Sequence, residues 1–374
     1  MRCDYFAAGA CRSCRWLEIS YADQLLHKQE RLAATLADVA PDLAWEEPVR
    51  SPTEGFRNKA KMAVAGSVER PTLGILGPRG RGVDLRDCGL HAPGLQAALP
   101  ALSHFVTTAK LTPYSVPERR GELKHLIVTE SPGGELMVRW VLRSTEAVSR
   151  IRKHLPALTE ELPISVASVN LQPEHKAVLE GPQELFLTSQ ESLTMEVNGI
   201  GLRLRPHSFF QTNTHVAAAL YRHARELVEK VAPHSVWDLY CGVGGFGLHV
   251  AAPGRSVLGV ESSEQAVEAA RTTAAEFGLG GTSWQATDAT AYALGAGTGP
   301  DLVIVNPPRR GIGPTLSRWL ESSGVGHVVY SSCNVDTLAR DLREMPSLRP
   351  RSARLLDMFP HTDHHEVLVL LERG

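Results

Sequence analysis

The pattern of hydrophobic and polar positions divides the chain near residue 200. Before that point, apolar residues mostly alternate with polar ones, as they do in half-buried strands. The clearest example is 123–131 followed by 135–142, where a Pro-Gly-Gly turn separates two alternating runs and predicts an antiparallel hairpin. Two helical stretches, 20–40 and 146–162, and a further strand at 164–171 complete the prediction for this part.

After residue 200, apolar runs of strand length alternate with helical stretches. The runs occupy 235–240, 256–261, 282–286, 301–305 and 327–331. Such alternation predicts a parallel sheet covered by helices on both faces, which is an α/β fold. Two later apolar runs, 353–359 and 366–371, predict an antiparallel hairpin at the edge of this sheet.

A chain of 374 residues is too long for one ordinary core and predicts more than one domain. We divide it into a cysteine-rich segment with the start of the central domain (1–90), a strand-rich α+β central domain (91–195) and an α/β domain (196–374). The composition, 43% hydrophobic and 21% charged, is typical of globular proteins. No apolar run is long enough to span a membrane and no secretion signal is recognisable, so we expect a cytoplasmic protein without a membrane partner.

Overall charge gives little support for a nucleic-acid partner. The formal net charge is -2, whereas phosphate binding usually goes with a basic excess. Two local basic groups exist all the same: Arg57, Lys59 and Lys61 in GFRNKAK, and Arg119, Arg120 and Lys124 in ERRGELK. By themselves, both groups are interpreted as solvated faces.

A glycine-rich turn follows the first strand of the α/β part and opens a helix. Gly242, Gly244 and Gly247 fit the spacing G-x-G-x-x-G, in which the missing side chains let the backbone approach a ligand. Glu261 ends the next strand, where a carboxylate can accept hydrogen bonds from both ribose hydroxyls. These features indicate a site for a nucleotide-containing cofactor, either NAD or S-adenosylmethionine (SAM). A tight turn without a ligand is the alternative.

Polar and reactive residues lie where the fourth and fifth strands of this part end. Ligands bind beyond the carboxyl ends of such strands, so Asn306 in NPPRRG and Cys333 in YSSCN are expected to flank one crevice. Cys333 is a candidate nucleophile, because a polar crevice favours its thiolate; a buried, inert cysteine is the alternative. Glu366, at the start of the last strand, is a candidate general base. The histidines of the preceding PHTDHH are interpreted as a polar loop rather than a metal site.

Three of the six cysteines fall within the first fourteen residues. Cys3, Cys11 and Cys14 have the spacing C-x₇-C-x₂-C, and Cys88 follows within LRDCGLH. Disulfides are not expected in a cytoplasmic protein, so four thiolates at one point indicate Zn²⁺ or an iron–sulfur cluster. The spacing leaves both open, and four unrelated free cysteines are the alternative.

In their order along the chain, these segments resemble the RNA uracil-5-methyltransferases. The resemblance rests on CRSC near the start, GFRNKAKM (55–62), RRGELK (119–124), SFFQTN (208–213), DLYCGVGGFGLH (238–249), VNPPRRGIG (305–313), YSSCN (330–334) and DMFPHTDHHEVL (357–368). It runs from residue 1 to the C-terminus and is far more specific than the glycine pattern alone. It implies a C-terminal Rossmann-like class I SAM-methyltransferase domain, with an α+β central domain and an N-terminal cluster segment.

The resemblance also implies the residues of the site. SAM is expected to contact Gln211, Tyr240, Glu261 and Asn306. A [4Fe-4S] cluster is expected on Cys3, Cys11, Cys14 and Cys88. Cys333 is expected to attack C6 of uracil, after which C5 takes the methyl group and Glu366 removes the C5 proton. Because this chemistry involves no oxidation or reduction, a structural or RNA-positioning role is expected for the cluster.

The substrate implied is a uridine of 23S rRNA. Relatives that modify tRNA or other rRNA sites often have aspartate where this chain has Asn306, and the subgroup that shares the asparagine acts on 23S rRNA. We therefore expect SAM-dependent methylation of C5 of one 23S rRNA uridine by a monomer. Phe209, Phe210 and Arg309 are candidates to stack on the target base once it leaves its own stack. The same chemistry on another RNA uridine, an NAD-dependent iron–sulfur oxidoreductase and a non-catalytic RNA-binding module are the alternatives.

Overall fold

A computed structural model describes the backbone of residues 1–374 and the side chains of this range except that of Arg79. The chain forms two units. Unit 1 consists of Met1–Cys14 and Thr53–Met195, and unit 2 consists of Arg15–Pro52 and Glu196–Gly374. None of the described helices has the length and apolar character needed to cross a bilayer.

The elements are numbered in chain order. The helices are α1 (Asp4–Ala7), α2 (Tyr21–Leu36), α3 (Pro93–Thr108), α4 (Val148–Glu161), α5 (Thr214–Val231), α6 (Gly245–Val250), α7 (Glu264–Glu276), α8 (Ala289–Gly295), α9 (Gly313–Ser322) and α10 (Val335–Arg343). The strands are β1 (Ala44–Val49), β2 (Lys59–Gly66), β3 (Pro71–Leu76), β4 (Gly82–Asp84), β5 (Leu123–Glu130), β6 (Leu136–Leu142), β7 (Ile164–Leu171), β8 (Gln183–Phe186), β9 (Leu193–Val197), β10 (Ile200–Leu204), β11 (Ser235–Leu239), β12 (Ser256–Glu261), β13 (Thr282–Ala286), β14 (Leu302–Val305), β15 (His327–Ser332), β16 (Leu348–Leu356) and β17 (Glu366–Arg373).

Unit 1 is built on a seven-stranded sheet in the order β4-β3-β2-β5-β6-β7-β8. Its neighbours are antiparallel except β6 and β7, which are parallel because α4 connects them. The predicted hairpin is confirmed: β5 and β6 pair antiparallel, with Leu126 opposite Trp140. Gly134 closes the turn with a φ of +84° and donates its amide to the Ser131 carbonyl at 2.9 Å, a conformation that glycine adopts without strain.

The two faces of this sheet differ in polarity. Met62, Leu126, Val138 and Trp140 point to one face and form an apolar core with α3 and α4. Because side chains alternate along a strand, Arg139 points to the other face. Its guanidinium is 1% exposed and pairs with the carboxylates of Glu180 and Glu184, at 2.6 and 2.7 Å. A buried charge requires such partners, so this face contains an ion-pair cluster that is shielded from solvent.

The first predicted basic group therefore needs correction. Arg57 and Lys59 are half-buried, and only Lys61 of the three is exposed. Burial lowers the pKa of Lys59 to about 8. In the second group, Lys124 is also buried, at 7% exposure, whereas Arg119 and Arg120 are exposed.

Unit 2 contains an eight-stranded sheet in the order β1-β16-β17-β15-β14-β11-β12-β13. The five strands predicted from apolar runs, β11 to β15, pair in parallel, which confirms the α/β prediction. The chain runs outward from β11 to β12 and β13 and then returns to β14, on the other side of β11. This reversal of strand order opens a crevice at the carboxyl ends of β11 and β14, where such sheets bind ligands.

The edge of this sheet differs from the prediction. β16 and β17 pair antiparallel as expected, but β17 lies between β15 and β16, and β1 pairs in parallel with the free side of β16. The prediction of an edge hairpin is therefore wrong, because a strand from the start of the chain covers it.

Residues 15–52 were predicted to lie in segment 1–90. They belong to unit 2 instead, because β1 pairs with β16. Besides β1, they supply α2, whose Leu25, Leu32 and Leu36 pack into the core of unit 2. Ser20 starts this helix by accepting a hydrogen bond from the amide of Asp23 at 3.2 Å, which satisfies a free amide of the first turn.

Candidate active site

The glycine-rich turn lies at the end of β11, where the strand order reverses. Tyr240 and Gly242 have left-handed backbone conformations, with φ of +63° and +54°, so the chain turns sharply after the strand. A Cβ on Gly242 would meet nothing within 4 Å, whereas one on Gly244 would lie 2.8 Å from the ring of Trp284. Gly244 therefore serves internal packing, and the open space beside Gly242 lets a ligand approach the backbone.

Glu261 lies beside this turn, at the end of β12. Its Oε2 accepts a hydrogen bond from the Gly242 amide at 3.2 Å. Its Oε1 accepts bonds from the Ser262 hydroxyl at 2.9 Å and the Ser263 amide at 3.0 Å. A carboxylate has about four acceptor positions, and Glu261 is only half-buried, so capacity remains for a ribose hydroxyl.

Asp238, in the same strand as the turn, is a buried carboxylate. Its Oδ2 accepts a hydrogen bond from the Gly247 amide at 2.7 Å, whereas Oδ1 is buried without a partner among the described atoms. Burial raises the pKa of Asp238 to about 7, because a medium of low polarity disfavours the charged form. A ligand that donates a hydrogen bond or carries positive charge would satisfy this oxygen.

Cys333, Glu366 and Asn306 reach one edge of the sheet. Cys333 follows β15, and Glu366 begins β17, which is the antiparallel neighbour of β15. Ser332 lies opposite Val367, so the end of one strand meets the start of the other. Asn306 follows β14, the parallel neighbour of β15, and is half-buried. The strand pattern had predicted this common edge for Asn306 and Cys333, and the pairing of β17 with β15 adds Glu366 to it.

The carboxyl group of Glu366 is shielded from solvent. It is 3% exposed, and its Oε1 accepts a hydrogen bond from the Ser331 hydroxyl at 2.5 Å. Burial raises the pKa of Glu366 to about 7, and the Ser331 bond opposes part of this rise. A carboxyl group with a pKa near 7 can accept a proton at neutral pH, as a general base must.

The thiol of Cys333 is half-buried between a negative and a positive group. Burial is the largest influence and raises its pKa, and the charge of Glu366 acts in the same direction. The guanidinium of Arg309 opposes both, through its charge and a hydrogen bond to the sulfur. The backbone oxygen of Arg309 accepts bonds from the Asn334 amide group at 3.1 Å and the Thr337 hydroxyl at 3.2 Å. The charge of Arg309 therefore favours the thiolate.

The turn before Glu366 is held by α2. Gln24, buried at 1% exposure, accepts a hydrogen bond from the His361 amide at 2.7 Å. Its amide group donates to the carbonyls of Trp16 and Ile19, both at 2.9 Å. The Trp16 amide donates in turn to the His361 carbonyl at 3.0 Å. His361 has a left-handed φ of +64°, so these bonds maintain a backbone conformation that is costly for a residue with a side chain.

A buried ion pair supports the same turn. The Lys28 ammonium lies 2.6 Å from Asp357 Oδ1 and donates to the Phe359 carbonyl at 3.0 Å. Both charged side chains are 0% exposed. Desolvation offsets most of the stability of such a pair, but loss of one partner leaves an uncompensated charge. Gln24 and Lys28 lie four residues apart in α2, so one face of this helix contacts the whole turn.

Three further residues indicated by the sequence lie before α5, namely Phe209, Phe210 and Gln211. Gln211 and Phe210 are buried, whereas the ring of Phe209 is 69% exposed. Among the three candidates for stacking on a base, Phe209 therefore presents a ring to solvent and Phe210 does not. The third, Arg309, lies against Cys333.

The four cysteines predicted to bind a metal line one cavity of about 190 Å³ in unit 1. They are Cys3, Cys11, Cys14 and Cys88, and all are free thiols. Burial, followed by the charges of the other three sulfurs, raises the pKa of Cys14 to about 12. The four sulfur atoms are thus within electrostatic reach of one another.

The shape of this cavity bears on what it could hold. Within the described residues, no three Cys, His, Asp or Glu side chains surround a position for one metal ion. A zinc site needs its sulfur ligands about 2.3 Å from a single ion. Arg57 also lines the cavity, and its charge interacts with Cys88 and Cys14.

Several residues described above were missed in the sequence, namely Ser331, Asp238, Gln24 and Lys28. A signal for Gln24 and Lys28 was present, because they are polar positions on the apolar stripe that contains Leu32. Asp238 is similarly a carboxylate inside an apolar strand. The bond between Ser331 and Glu366 leaves no trace in the sequence pattern.

The family described as tRNA (Uracil-5-)-methyltransferase matches residues 176–281 and 299–374. These ranges contain the glycine-rich turn, Asn306, Cys333 and Glu366. They do not include the four-cysteine cavity.

Curated relatives match along the whole chain. The 23S rRNA (uracil(747)-C(5))-methyltransferase RlmC of Serratia proteamaculans is 47% identical over 377 residues, which cover 100% of both chains. The protein of the same name from Cronobacter sakazakii is 48% identical over 375 residues, again 100% of both. The Escherichia coli O139:H28 protein is 47% identical over 373 residues, 99% of both.

A solved structure also matches nearly the whole chain. It is the tRNA (uracil-54, C5)-methyltransferase of Pyrococcus abyssi in complex with S-adenosyl-L-homocysteine. The match covers 96% of this chain and 85% of the archaeal one, with a TM-score of 0.81 and 27% identity.

Proposed function

The chain belongs to the family of RNA uracil-5-methyltransferases, and we propose that it methylates C5 of the 23S rRNA uridine that corresponds to position 747 in the names of its RlmC relatives. The observation that carries the proposal is 47% identity to one such relative over 100% of both chains. The archaeal tRNA enzyme is 27% identical, so a tRNA substrate has weaker support.

SAM supplies the methyl group as an electrophile, and its site is at the glycine-rich turn. We propose that it is contacted by Gln211, Tyr240, Glu261 and Asn306. The open space beside Gly242 and the remaining acceptor capacity of Glu261 support this assignment. The unpaired Oδ1 of Asp238 adds a buried acceptor near the same turn.

Cys333 acts as the nucleophile in this proposal. Its thiolate attacks C6 of uracil, a C6–S bond forms, and the electron pair of the C5=C6 bond moves into an enolate. C5 thereby becomes nucleophilic and takes the methyl group, while the sulfur of SAM keeps the electrons of the broken bond. Arg309 supports the attack because its hydrogen bond to the Cys333 sulfur favours the thiolate.

Glu366 completes the reaction as the general base. Its carboxylate accepts the C5 proton, the C5=C6 bond forms again, and the C6–S bond breaks to release the Cys333 thiolate. With a pKa of about 7, Glu366 is ionised in a large fraction of molecules at neutral pH. Gln24 and Lys28 act as positioning residues, since they hold the turn from which Glu366 emerges.

We also propose that the cavity formed by Cys3, Cys11, Cys14 and Cys88 holds a [4Fe-4S] cluster. The four thiols that line one cavity and the adjacent charge of Arg57 support such a group. Methyl transfer moves electron pairs and requires no oxidant or reductant. The cluster therefore has a structural or RNA-positioning role.

The remaining expectations follow from the substrate. A 23S rRNA substrate is found in the cytoplasm, so we propose that the chain acts there without a membrane partner, with residues 196–374 performing catalysis and 91–195 contacting RNA. A monomer remains a prediction, which light scattering of the purified protein tests.

The experiment combines purified protein with SAM and 23S rRNA from cells that lack the modification. After anaerobic incubation, the RNA is digested and 5-methyluridine is mapped by mass spectrometry, with Cys333→Ala protein in parallel. Methylation at one 23S rRNA uridine, absent with Cys333→Ala, supports the proposal. Product on tRNA but not on 23S rRNA would overturn the substrate and keep the chemistry. No product on either RNA would overturn both.

A further inference from the structure

A second cavity of unit 1, with a volume of about 520 Å³, has no part in the proposed mechanism. It shares no lining residue with the four-cysteine cavity. Its volume lies in the range of about 300–1,000 Å³ that is usual for small-ligand sites. The lining combines apolar side chains with a few polar groups, which is also usual for such sites.

The apolar part of the lining is exposed to solvent. Leu76, Val116 and Val178 all contact the cavity and are 39%, 42% and 51% exposed. They come from three separate segments of the chain, so the fold brings them together. Apolar side chains gathered at the mouth of a cavity indicate a surface that another molecule covers.

The polar part is held in fixed orientations. The Lys124 ammonium donates to Gln172 Oε1 at 3.0 Å and to the Glu174 carbonyl at 2.6 Å, which leaves one of its donor positions for a ligand. The Tyr114 hydroxyl lies 2.9 Å from Nδ1 of His175 and orients that exposed ring. Neighbouring His125 has its pKa lowered to about 4 by burial, so its ring is neutral and can both donate and accept.

Charge near the mouth is positive. Arg119 and Arg120 belong to the same loop as Val116, are exposed, and form no ion pair with any described side chain. The left-handed φ of +54° at Arg119 fixes a sharp turn there. Most neighbouring acids are paired: Glu174 with Lys176 at 2.8 Å, and Glu122 with Arg143 at 3.1 Å. Glu118 offsets one of the two guanidinium charges.

We propose that this cavity binds an unstacked nucleotide of the RNA substrate, other than the uridine that is methylated. A base has flat apolar faces and a polar edge, which match the apolar lining and the ring of His175 on one side and Lys124 and His125 on the other. Arg119 and Arg120 contact the adjoining phosphates. The inference rests on the proposed function, since it takes RNA as the substrate.

The test uses the full-length enzyme and a 23S rRNA fragment that contains the target uridine. Val178→Asp places a negative charge at the mouth, and His175→Ala removes the stacking ring. Leu294→Asp is the matched control, because Leu294 is 56% exposed, lies in unit 2 and undergoes the same change of charge. We expect both cavity variants to weaken RNA binding and raise KM about tenfold, the loss expected for one stacked base. The value of kcat and the affinity for SAM stay within about twofold of those of wild type and control.

A second readout is independent of methyl transfer. The fragment is synthesised with 4-thiouridine, irradiated on the enzyme, and the crosslinked peptides are identified by mass spectrometry. Crosslinks within 112–125 or 172–180, lost in Val178→Asp, support the proposal. Unchanged RNA affinity together with absent crosslinks would overturn it, even if methylation is normal. Crosslinks at these residues without methylation would instead overturn the proposed function and keep the nucleotide site.

Discussion

Cys333 in the crevice of unit 2 is half-buried and Cys14 in the four-cysteine cavity of unit 1 is buried, and burial is the main cause of the raised pKa of both thiols. Their other neighbours differ. Cys333 lies between a hydrogen-bonding guanidinium, Arg309, and a buried carboxyl group, Glu366. Cys14 is surrounded by three more thiols, with Arg57 beside them.

Burial alone therefore does not distinguish the proposed nucleophile from a proposed metal ligand. A nucleophile needs a group that stabilises its thiolate and, here, a base for the later proton transfer. Ligands of a cluster need other thiols at a common cavity. We therefore expect variants at Cys333 to lose turnover and keep the iron. Variants in the four-cysteine cavity are expected to lose the iron and keep most of kcat.

The largest effect is expected for Glu366→Gln. We expect kcat to fall about 10²- to 10⁴-fold, which is the usual contribution of a general base. Because the methylated intermediate cannot lose its C5 proton, protein covalently bound to RNA accumulates and is visible on denaturing gels. Glu372→Gln, an exposed glutamate of the same strand, is the control and leaves turnover unchanged. Normal turnover of Glu366→Gln without an adduct would remove Glu366 from the mechanism.

Cys14→Ser tests the proposed role of the four-cysteine cavity. We expect loss of bound iron and of visible absorption, a melting temperature lower by at least about 5 °C, and turnover at limiting RNA reduced more than about tenfold, because binding of the metal group is coupled to folding. At saturating RNA, kcat remains within about threefold. Cys333→Ser is the matched control, which keeps the iron and loses the activity. Folded, fully active Cys14→Ser protein would contradict the proposed role of the cluster.

Gln24→Met tests whether Glu366 must be held in position, without changing the carboxyl group itself. Methionine has a similar volume but cannot bond to His361, so the turn before Glu366 loses its buried support. We expect kcat to fall about tenfold, with some covalent adduct and an unchanged KM for RNA. The control, Thr273→Val, removes a different buried bond of unit 2, to the Gly201 carbonyl, and leaves kcat unaffected. Equal effects of the two variants would indicate only general destabilisation.

The smallest effect is expected for Ser331→Ala. The Ser331 hydrogen bond lowers the pKa of Glu366, so its loss raises that pKa above about 7. The base is active when deprotonated, and the rate of adduct breakdown therefore falls as pH decreases through this pKa. We expect the midpoint of the pH–rate curve to move upward by about half a unit, with about a twofold loss at pH 7 and none at pH 9. An unchanged midpoint would show that the bond does not act on the base.

Much of unit 2 could be predicted because its strands are local apolar runs. β12 and β13 occupy the predicted residues, 256–261 and 282–286. β1 could not be predicted in this way, because Ala44–Val49 contains two glutamates and a proline and pairs with β16 about 300 residues later in the chain. A local pattern contains no information on such a pairing.

Some features of the site could likewise be predicted from the sequence, and others could not. The common edge of Asn306 and Cys333 follows from the rule that parallel neighbouring strands end on the same side of the sheet. The position of Glu366 on this edge depends on the pairing of β17 with β15, which the pattern did not predict. The bond of Arg309 to the Cys333 sulfur depends on how a loop packs. The burial that raises the pKa of Glu366 likewise depends on the complete fold. Neither feature can be deduced from residue spacing.

The proposed reaction depends above all on a covalent bond between the sulfur of Cys333 and C6 of uracil. The most direct measurement uses a 23S rRNA fragment with 5-fluorouridine at the target position, where fluorine replaces the C5 hydrogen that Glu366 is proposed to remove as a proton. After incubation with SAM and nuclease digestion, mass spectrometry of the protein locates the bound nucleotide. We predict a SAM-dependent, methylated adduct on Cys333 that is absent from Cys333→Ala protein. No adduct, or an adduct on a different cysteine such as Cys241, would show that Cys333 is not the nucleophile.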